Sequence, residues 1–561
     1  AFSAEEVRSL SRSDLQWLVS LLDAFPPERH RPVWQEAYEA HHRNRLIVLL
    51  SGGRRGSSGR SVPPSFQAIF CIDAREEVLR RHLEARGGET YGFAGFFGVP
   101  IRFHPFHSEE QLDLCPVLIK PKHDVAEVPR PTQNKVVEKN LSGARWHHII
   151  DGLYHDLKMN LLSPYIIVEV VGGLFGLPFI GKTFFPRLYR KIKGYFRDRL
   201  TPPVITRLEF DLTPAEQAYY VEAALRLMGL TKHFARLVLV CAHGSRSENN
   251  PYFAALDCGA CGGNHGSPNA RIWAAMANRP EVRSLLKERG ILIPDETVFI
   301  PAEHNTTTDE VLLFDREDLP PSHRDDLARL VQDLREAGAA LRGERCRRLP
   351  GAPKEVSSAQ AASHVARRSA DWSEVRPEWG LSGNAAFIIG RRSLTERIDL
   401  EGRAFLHSYD SDQDASGRAL EIIMTAPLIV GEWISMEYYF STVDNPVYGS
   451  GTKVVHNVVG RVGVMIGNRS DLQTGLPRQT VMNGEEYYHE PMRLLALIEA
   501  PVDRIAAIIA RHRVLQQLFD NQWMTLVAVD PATGRFQHYL PGGKWEIILP
   551  ERSLSAPLIG S

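Results

Sequence analysis

Along the first fifty residues, Leu15, Leu18, Leu21 and Leu22 recur at three- and four-residue intervals, the spacing of one buried helical face, and a second helix is predicted over 32–50. The pattern changes at 66–72. This compact apolar run carries Ile and Phe and suits a buried strand. Val78, Leu79, His82 and Leu83 then return to helical spacing, and Gly87–Gly88 ends that helix. The same order repeats downstream: a strand over 237–241, a loop over 242–268, a helix over 269–288 and a third strand over 297–302. Alternating strands and helices predict an α/β fold.

A long charged helix is expected over 320–347, followed by a Pro/Ala/Ser-rich linker or surface crossing at 350–362. The C-terminal third has a different texture, rich in Gly, Asn, Tyr and Val over 438–467, with a helix at 502–519 and a strand at 524–529. These breaks divide the chain into a helical N-terminal segment (1–60), an α/β core (61–320) with an insertion at about 110–230, a helix and linker (321–365), and a C-terminal α+β region (366–561) packing on the core. The apolar stretch 165–180 contains Glu169, Gly172–Gly173 and Pro178, and it reads as a buried segment ahead of a membrane or partner contact. Residues 165–185, with the basic stretch 187–199 after them, are the candidate docking surface if that second reading holds. With no uninterrupted apolar run of about 20 residues, no transmembrane helix is expected.

Composition narrows the function classes. The chain has 561 residues, 43% hydrophobic and 24% charged, an ordinary globular make-up for two to four domains or one large elaborated one. A net charge of -1 excludes a general attraction to nucleic acid. The basic clusters at Arg54, Arg55 and Arg60 and over 187–199 read as solvated surface. The Gly-rich loop at 52–59 lacks the Gly-Lys-Ser/Thr ending of a phosphate-binding loop. The first residue is Ala and no signal peptide follows, which suggests a fragment or a processed product. Six cysteines, Cys71, Cys115, Cys241, Cys258, Cys261 and Cys346, are too scattered for a disulfide scaffold, so metal binding or catalysis is the use to look for.

Three clusters carry that chemistry. Cys71-Ile72-Asp73-Ala74-Arg75 lies where a buried strand turns into a helix, and ligand sites in α/β sheets gather at the carboxyl ends of strands. Cys71 and Asp73 would face one side if the strand continued. Arg75 can hold Asp73 in a bidentate grip. Cys241-Ala242-His243-Gly244-Ser245 ends the second strand, and Cys258 opens a loop with glycines at 259, 262, 263 and 266. Cys71, His243 and Cys258 offer zinc two sulfurs and one nitrogen, and Asp73 can close the fourth position. If Arg75 draws Asp73 away, water takes that position. Cys258-x-x-Cys261 also fits a redox pair or, with His265, a compact structural zinc knuckle. Cys115, Cys241 and Cys346 read as structural.

Cys-x-Asp-x-Arg at such a turn resembles the first zinc motif of β-type carbonic anhydrases, which complete the site with a His and a Cys only a few residues apart. Here His243 and Cys258 are fifteen apart and far downstream. The whole pattern resembles the DabA family, the probable inorganic carbon transporter subunit. The stretches that carry the resemblance are CIDAREE at 71–77, CAHGSRSENNPYFAALDCGACGGNHGSPNAR at 241–271, WSEVRPEWGLSGNAAFIIGRR at 372–392, HSYDSDQD at 407–414 and NPVYGSGTKVVHNVVGRVGVMIGNRSDLQTGLPRQ at 445–479. Family members are commonly longer at the N-terminus, so the resemblance implies a C-terminal portion. It implies a β-carbonic-anhydrase-like sheet core with large insertions. It also implies one zinc ion (Zn2+) on Cys71, Asp73, His243 and Cys258, with Asp73 switching between zinc and Arg75. The implied function is CO2 hydration to bicarbonate, as a peripheral subunit on the cytoplasmic face of the inner membrane. Its partner would be a membrane proton-conducting subunit resembling the antiporter-like subunits of respiratory complex I. A free-standing soluble carbonic anhydrase and a non-enzymatic zinc scaffold docking on a membrane protein are the alternatives.

Overall fold

The structure, a computed structural model, describes residues 10–25, 27–53, 64–106, 108–249, 252–353, 355–396, 398–452, 456–459, 463–466 and 472–549. The basic cluster Arg54, Arg55 and Arg60, with most of the Gly-rich loop around it, lies outside the described residues. The strands used below are β1 (Gln67–Cys71), β2 (Glu89–Phe93), β3 (Ile101–His104), β4 (Leu112–Leu114), β5 (His123–Pro129), β6 (Thr206–Phe210), β7 (Leu237–Gly244), β8 (Val298–Asn305), β9 (Glu310–Leu313), β10 (Ala386–Gly390), β11 (Ala404–Ser408), β12 (Leu495–Glu499), β13 (Thr525–Val529), β14 (Phe536–Leu540) and β15 (Lys544–Ile548). The helices are α1 (Arg12–Ala24), α2 (Pro27–Gly53), α3 (Ala74–Glu84), α4 (Asn134–Met159), α5 (Ser163–Phe184), α6 (Pro186–Leu200), α7 (Pro214–Met228), α8 (Ser267–Ala277), α9 (Pro280–Glu288), α10 (Arg324–Arg348), α11 (Ser358–Ala370), α12 (Arg418–Thr425), α13 (Pro427–Val443), α14 (Val502–Arg511) and α15 (Arg513–Asp520).

The fold is mixed α/β. A first sheet has the order β2-β1-β7-β8-β9, with its first four strands parallel and β9 antiparallel. Parallel strands covered on both faces read as unbroken apolar runs, and the fully buried QAIFC of β1 and LVLVCAHG of β7 are of that kind. One face is covered by α3 and α10, through Leu79, Leu83, Leu330 and Leu334. The other is covered by α7 and α8, through Val221, Leu225, Ile272 and Trp273. A second sheet, β11-β10-β12-β13-β14-β15, has four parallel strands followed by an antiparallel hairpin. Ile47 and Leu50 of α2 pack against one of its faces. A four-stranded sheet, β4-β3-β5-β6, is built from residues 101–129 and 206–210.

The two large sheets meet edge to edge, β2 against β11. The Leu406 amide donates to the Ile72 carbonyl (3.2 Å), the Gly92 amide to Ser408 Oγ (2.9 Å), and Arg80 Nη1 to the Leu406 carbonyl (3.2 Å). A side chain at Gly92 would bring its Cβ within 1.8 Å of the Leu406 carbonyl oxygen.

Several expectations are corrected. The helix expected over 269–288 is broken into α8 and α9, because Pro280 cannot donate a backbone hydrogen bond and disfavours helix at Arg279, which is extended. The helix expected over 502–519 breaks at His512, also extended (φ -121°). The linker ends early: Ser357 and Gln360 form a reciprocal cap that starts α11 at Ser358. The largest correction concerns 165–180. It is not buried: α5 stands out from the body with most of its apolar side chains exposed. Among the described residues, one helical stretch, Arg418–Val443, is long and apolar enough to cross a membrane, and 44% of its most apolar window is buried inside the protein. The arms Ser163–Val170 and Gly172–Phe184 meet that criterion only when joined, and they are bent by 72° to each other.

Gly92→Ala tests the sheet-to-sheet contact. The added methyl meets backbone carbonyl rather than a movable side chain, so the expected outcome is a loss of about 2 kcal/mol or more in urea unfolding. Unfolding indistinguishable from the parent would show that the sheets are not held this closely.

Candidate metal centre

Strand pairing sets the first two site residues side by side. Phe70 of β1 is opposite Cys241 of β7, so the carboxyl ends of both strands, with Cys71 and His243, open at the same edge. The strand stops at Cys71 and does not carry Asp73 along one face with it. Asp73 instead caps α3, its Oδ1 accepting from the Arg75 amide (2.9 Å).

The loop bearing Cys258 is clipped back onto β7. The Gly266 amide donates to the His243 carbonyl (3.1 Å), and Asp257 accepts from the Ser245 amide (2.6 Å) and hydroxyl (2.9 Å). The Cys258 carbonyl receives the Cys261 and Gly263 amides, a turn that needs the positive φ of Gly262 and Gly263 (66° and 74°).

Cys71, His243 and Cys258 thereby come together, fully buried, with their ligand atoms all within 4.8 Å of one another, a grouping that can hold a metal ion. The two sulfurs are 4.0 Å apart. His243 Nε2 has no hydrogen-bond partner and lies 3.5 Å from Asp73 Oδ2. All six cysteines are free and buried. Cys261 and His265 stay outside the group, His265 Nδ1 facing Glu303 Oε2 at 3.1 Å. Cys115, Cys241 and Cys346 also stay outside it.

Asp73 is turned toward Arg75. Arg75 Nε donates to Oδ1 (3.0 Å) and Nη2 to Oδ2 (2.8 Å), the bidentate pairing expected from the sequence. Nη1 donates to Thr306 Oγ1 and to Glu378 Oε2, both at 3.1 Å. Burial alone would raise the Asp73 carboxyl, but the Arg75 guanidinium, with His243, holds it at about 2. Burial likewise works against a charged His243, and Asp73 overrides it, to about 9. The hydrogen-bonded Cys258 thiol, and then burial, push the Cys71 thiol well up. Cys258 is pushed up first by Cys261 and then by burial. Two buried thiols in this state need a cation before both can ionise.

Four contributors were not legible beforehand. A Cβ on Gly95 would lie 2.6 Å from Cys258 Sγ and 2.9 Å from Cys71 Sγ, so only glycine lets the chain after β2 pass over the sulfurs. Thr306 follows directly on β8, and its hydroxyl joins Arg75 to Glu378. Glu378 sits within 372–392, so that stretch was a signal, though without a role attached. Tyr438 of α13 is buried and accepts from the Leu381 amide (3.1 Å). A narrow open cleft reaches Arg75 and Glu378 from solvent, lined also by Arg345, Arg348, Trp379 and Tyr488.

Comparison with known proteins places the chain in a family. The family described as "Probable inorganic carbon transporter subunit DabA" matches residues 6–524. A curated protein of that name from Salinibacter ruber is 46% identical over 535 residues, covering 91% of this chain and 66% of that protein. Those from Thiobacillus denitrificans and Aquifex aeolicus are 40% and 39% identical, covering 96% of this chain and 60% and 61% of theirs. The chain thus spans about two thirds or less of the length of these relatives.

Two substitutions probe the centre. Gly95→Ala drives a methyl into both sulfurs and is expected to lower bound metal per purified chain, read by elemental analysis; full metal content would refute the crowding. Glu378→Ala leaves the buried Arg75 charge with one carboxylate and is expected to cost about 3–5 kcal/mol in chemical unfolding. A change below about 1 kcal/mol would mean that Arg75 does not depend on Glu378.

Proposed function

The chain belongs to the DabA family, and from that premise we propose that it is the zinc-bearing subunit of an energy-coupled inorganic carbon pump, hydrating CO2 to bicarbonate at the centre just described. The supporting observation is the convergence of Cys71, His243 and Cys258 beside an Asp73 already engaged by Arg75. Two thiolates about 2.3 Å from one zinc subtend about 3.8 Å at the tetrahedral angle. The 4.0 Å separation of the sulfurs agrees with that value. Thiolates with imidazole suit zinc and not the oxygen-seeking magnesium or calcium.

Zinc in such a site supplies Lewis acidity and brings the pKa of a coordinated water toward neutrality. The chain's own residues do the rest. With a metal on Cys71, His243 and Cys258, Arg75 would keep Asp73 away from it and leave room for water and substrate. Release of Asp73 from Arg75 would close it. Glu378 and Thr306 fix the guanidinium, so the switch moves the carboxylate and not the arginine. The cleft lined by Arg345 and Arg348 opens the Arg75–Glu378 side of the centre to solvent and stops short of the ligands themselves.

The reading extends to the assembly. The fold around the centre is taken as a β-carbonic-anhydrase-like sheet core over 61–320, carrying an insertion at about 110–230, with 366–561 packed on it. A membrane proton- or cation-conducting subunit, resembling the antiporter-like subunits of complex I, would make hydration effectively one-way at the cytoplasmic face of the inner membrane.

The decisive experiment is rescue of growth and bicarbonate uptake in a host lacking carbonic anhydrase, using the full-length protein with and without its membrane subunit. Rescue only with the subunit is expected. Cys71→Ala and His243→Ala should lose both zinc and rescue, while Asp73→Ala and Arg75→Ala should keep zinc and lose rescue. Rapid CO2 hydration by the isolated chain would point instead to a free-standing anhydrase. Intact accumulation in Asp73→Ala and Arg75→Ala would reduce the site to a scaffold.

A further inference from the structure

The helices α4, α5 and α6 form one projecting unit. Its base is fixed. Arg187 Nη1 donates to Ser363 Oγ (2.6 Å), Arg190 Nη1 donates to Ser369 Oγ (2.8 Å), and the Phe179 ring lies 6.3 Å from that of Trp372. The start of α4 and the end of α6 close together, since a Cβ at Gly143 would fall 2.1 Å from the Leu200 carbonyl oxygen. Beyond this base the unit is bare. In the 22-residue α5, Tyr165, Ile166, Val168, Val170, Leu174 and Leu177 are each 62–75% exposed. On α4, Trp146, Ile149, Ile150 and Leu153 are exposed as well. Soluble proteins do not leave contiguous apolar surface of this extent in water without a use for it.

The direction of these side chains decides what covers them. At 100° per residue Tyr165, Ile166, Val168 and Val170, all on the first arm of α5, already sweep an arc of about 200°. A helix lying in a protein groove buries a stripe of roughly 100°. An arc this wide needs a medium that is apolar on all sides, and acyl chains are such a medium. The next helix supplies the second half of the match. In its 15 residues α6 has Arg187, Arg190, Lys191, Lys193, Arg197 and Arg199 against a single acid, Asp198. Its Leu188, Ile192, Tyr195 and Phe196 are exposed and fall within about 100° of one another, opposite Arg190, Lys193 and Arg197, with Arg199 at the C-terminal end of that apolar face. Among the described residues Lys191 and Arg199 carry no ion pair, and both are exposed. An amphipathic helix with basic flanks and exposed aromatics fits a membrane surface of anionic headgroups.

We propose that α4–α6 is a lipid-binding element that seats this chain directly on an anionic bilayer, with α5 among the acyl chains at the interface and the free basic side chains of α6 at the headgroups. This stands apart from the metal centre, so it does not fall if the zinc reading falls.

Flotation of the full chain with vesicles, in the absence of any other protein, tests it. Wild type is expected to float with phosphatidylglycerol-containing vesicles, and to do so less as salt rises. The triple variant Ile166→Asp, Leu174→Asp and Leu177→Asp alters only exposed positions. It should keep its unfolding temperature and metal content while losing binding at least about tenfold, well under the roughly thousandfold that full burial of three apolar side chains implies. Lys191→Glu with Arg199→Glu should reduce the preference for phosphatidylglycerol over phosphatidylcholine. Cys71→Ala should float as wild type does. The proposal is overturned if wild type stays in the aqueous fraction at low salt or if the triple variant floats equally well. It is also overturned if flotation requires a membrane protein in the vesicles, which would make the surface a protein-docking face.

Discussion

A guanidinium buried with all its donors spoken for is the constraint around which this molecule is arranged. Arg75 has five side-chain N–H groups. They reach Asp73 through Nε and Nη2, and Thr306 and Glu378 through Nη1, while the second hydrogen of Nη2 points toward His243 Nδ1 at 3.5 Å. Those partners come from the turn after β1, the end of β8 and a loop before β10. Among the described residues, no other side chain at the centre joins three such distant parts of the sequence. Burying a charge is costly unless its partners are fixed beforehand. The two sheets, α3 and the loop at 378 must therefore be in place together for Arg75 to be tolerated at all.

From that follows the shape of the candidate metal centre. With Asp73 held, the nearby donors left are two sulfurs and one imidazole, each fixed by its own element: Cys71 by β1, His243 by β7 and Cys258 by the loop clipped to β7. Backbone closeness then does what side chains cannot. Gly95 passes over both sulfurs, and Gly262 with Gly263 folds the Cys258 loop through positive φ. The C-terminal half contributes from above, through Glu378 and through Ile434 of α13, whose Cδ1 would be 3.5 Å from a Cβ at Gly259. The centre is thus completed across the contact between β2 and β11, not within one sheet.

How much of this a sequence discloses depends on whether the information is local. The strands at 66–72 and 237–241 were legible because burial on both faces demands unbroken apolar runs. The bidentate pairing of Asp73 with Arg75 was legible because both lie in one helical turn. Helix breaks were misjudged where a single residue, Pro280 or His512, overrides an otherwise continuous pattern. Glu378 lay in a noticed stretch, yet its role depends on a partner 303 positions away. Gly95 carried no local mark, since what excludes a side chain there is a pair of sulfurs from elsewhere. The exposed α5 is the plainest failure. An apolar run tells how little a segment gains from water, and says nothing of whether protein or something else covers it.

The same reasoning explains why an ion pair, and not an apolar contact, sits beside the sulfurs. A packed hydrophobic substitute for Asp73, Arg75 and Glu378 would be as stable or more so on general grounds. It would also leave the ligands with a fixed surrounding. In the proposed function, a carboxylate within 3.5 Å of His243 Nε2 and within hydrogen bonding of Arg75 would have two places to go, and the cost of moving it would be set by how firmly the arginine is held. Glu378 and Thr306 set that firmness from outside the centre. The extra buried charge is therefore the part of the design that can be adjusted without touching a ligand, and it lies against the cleft through which solvent reaches Arg75.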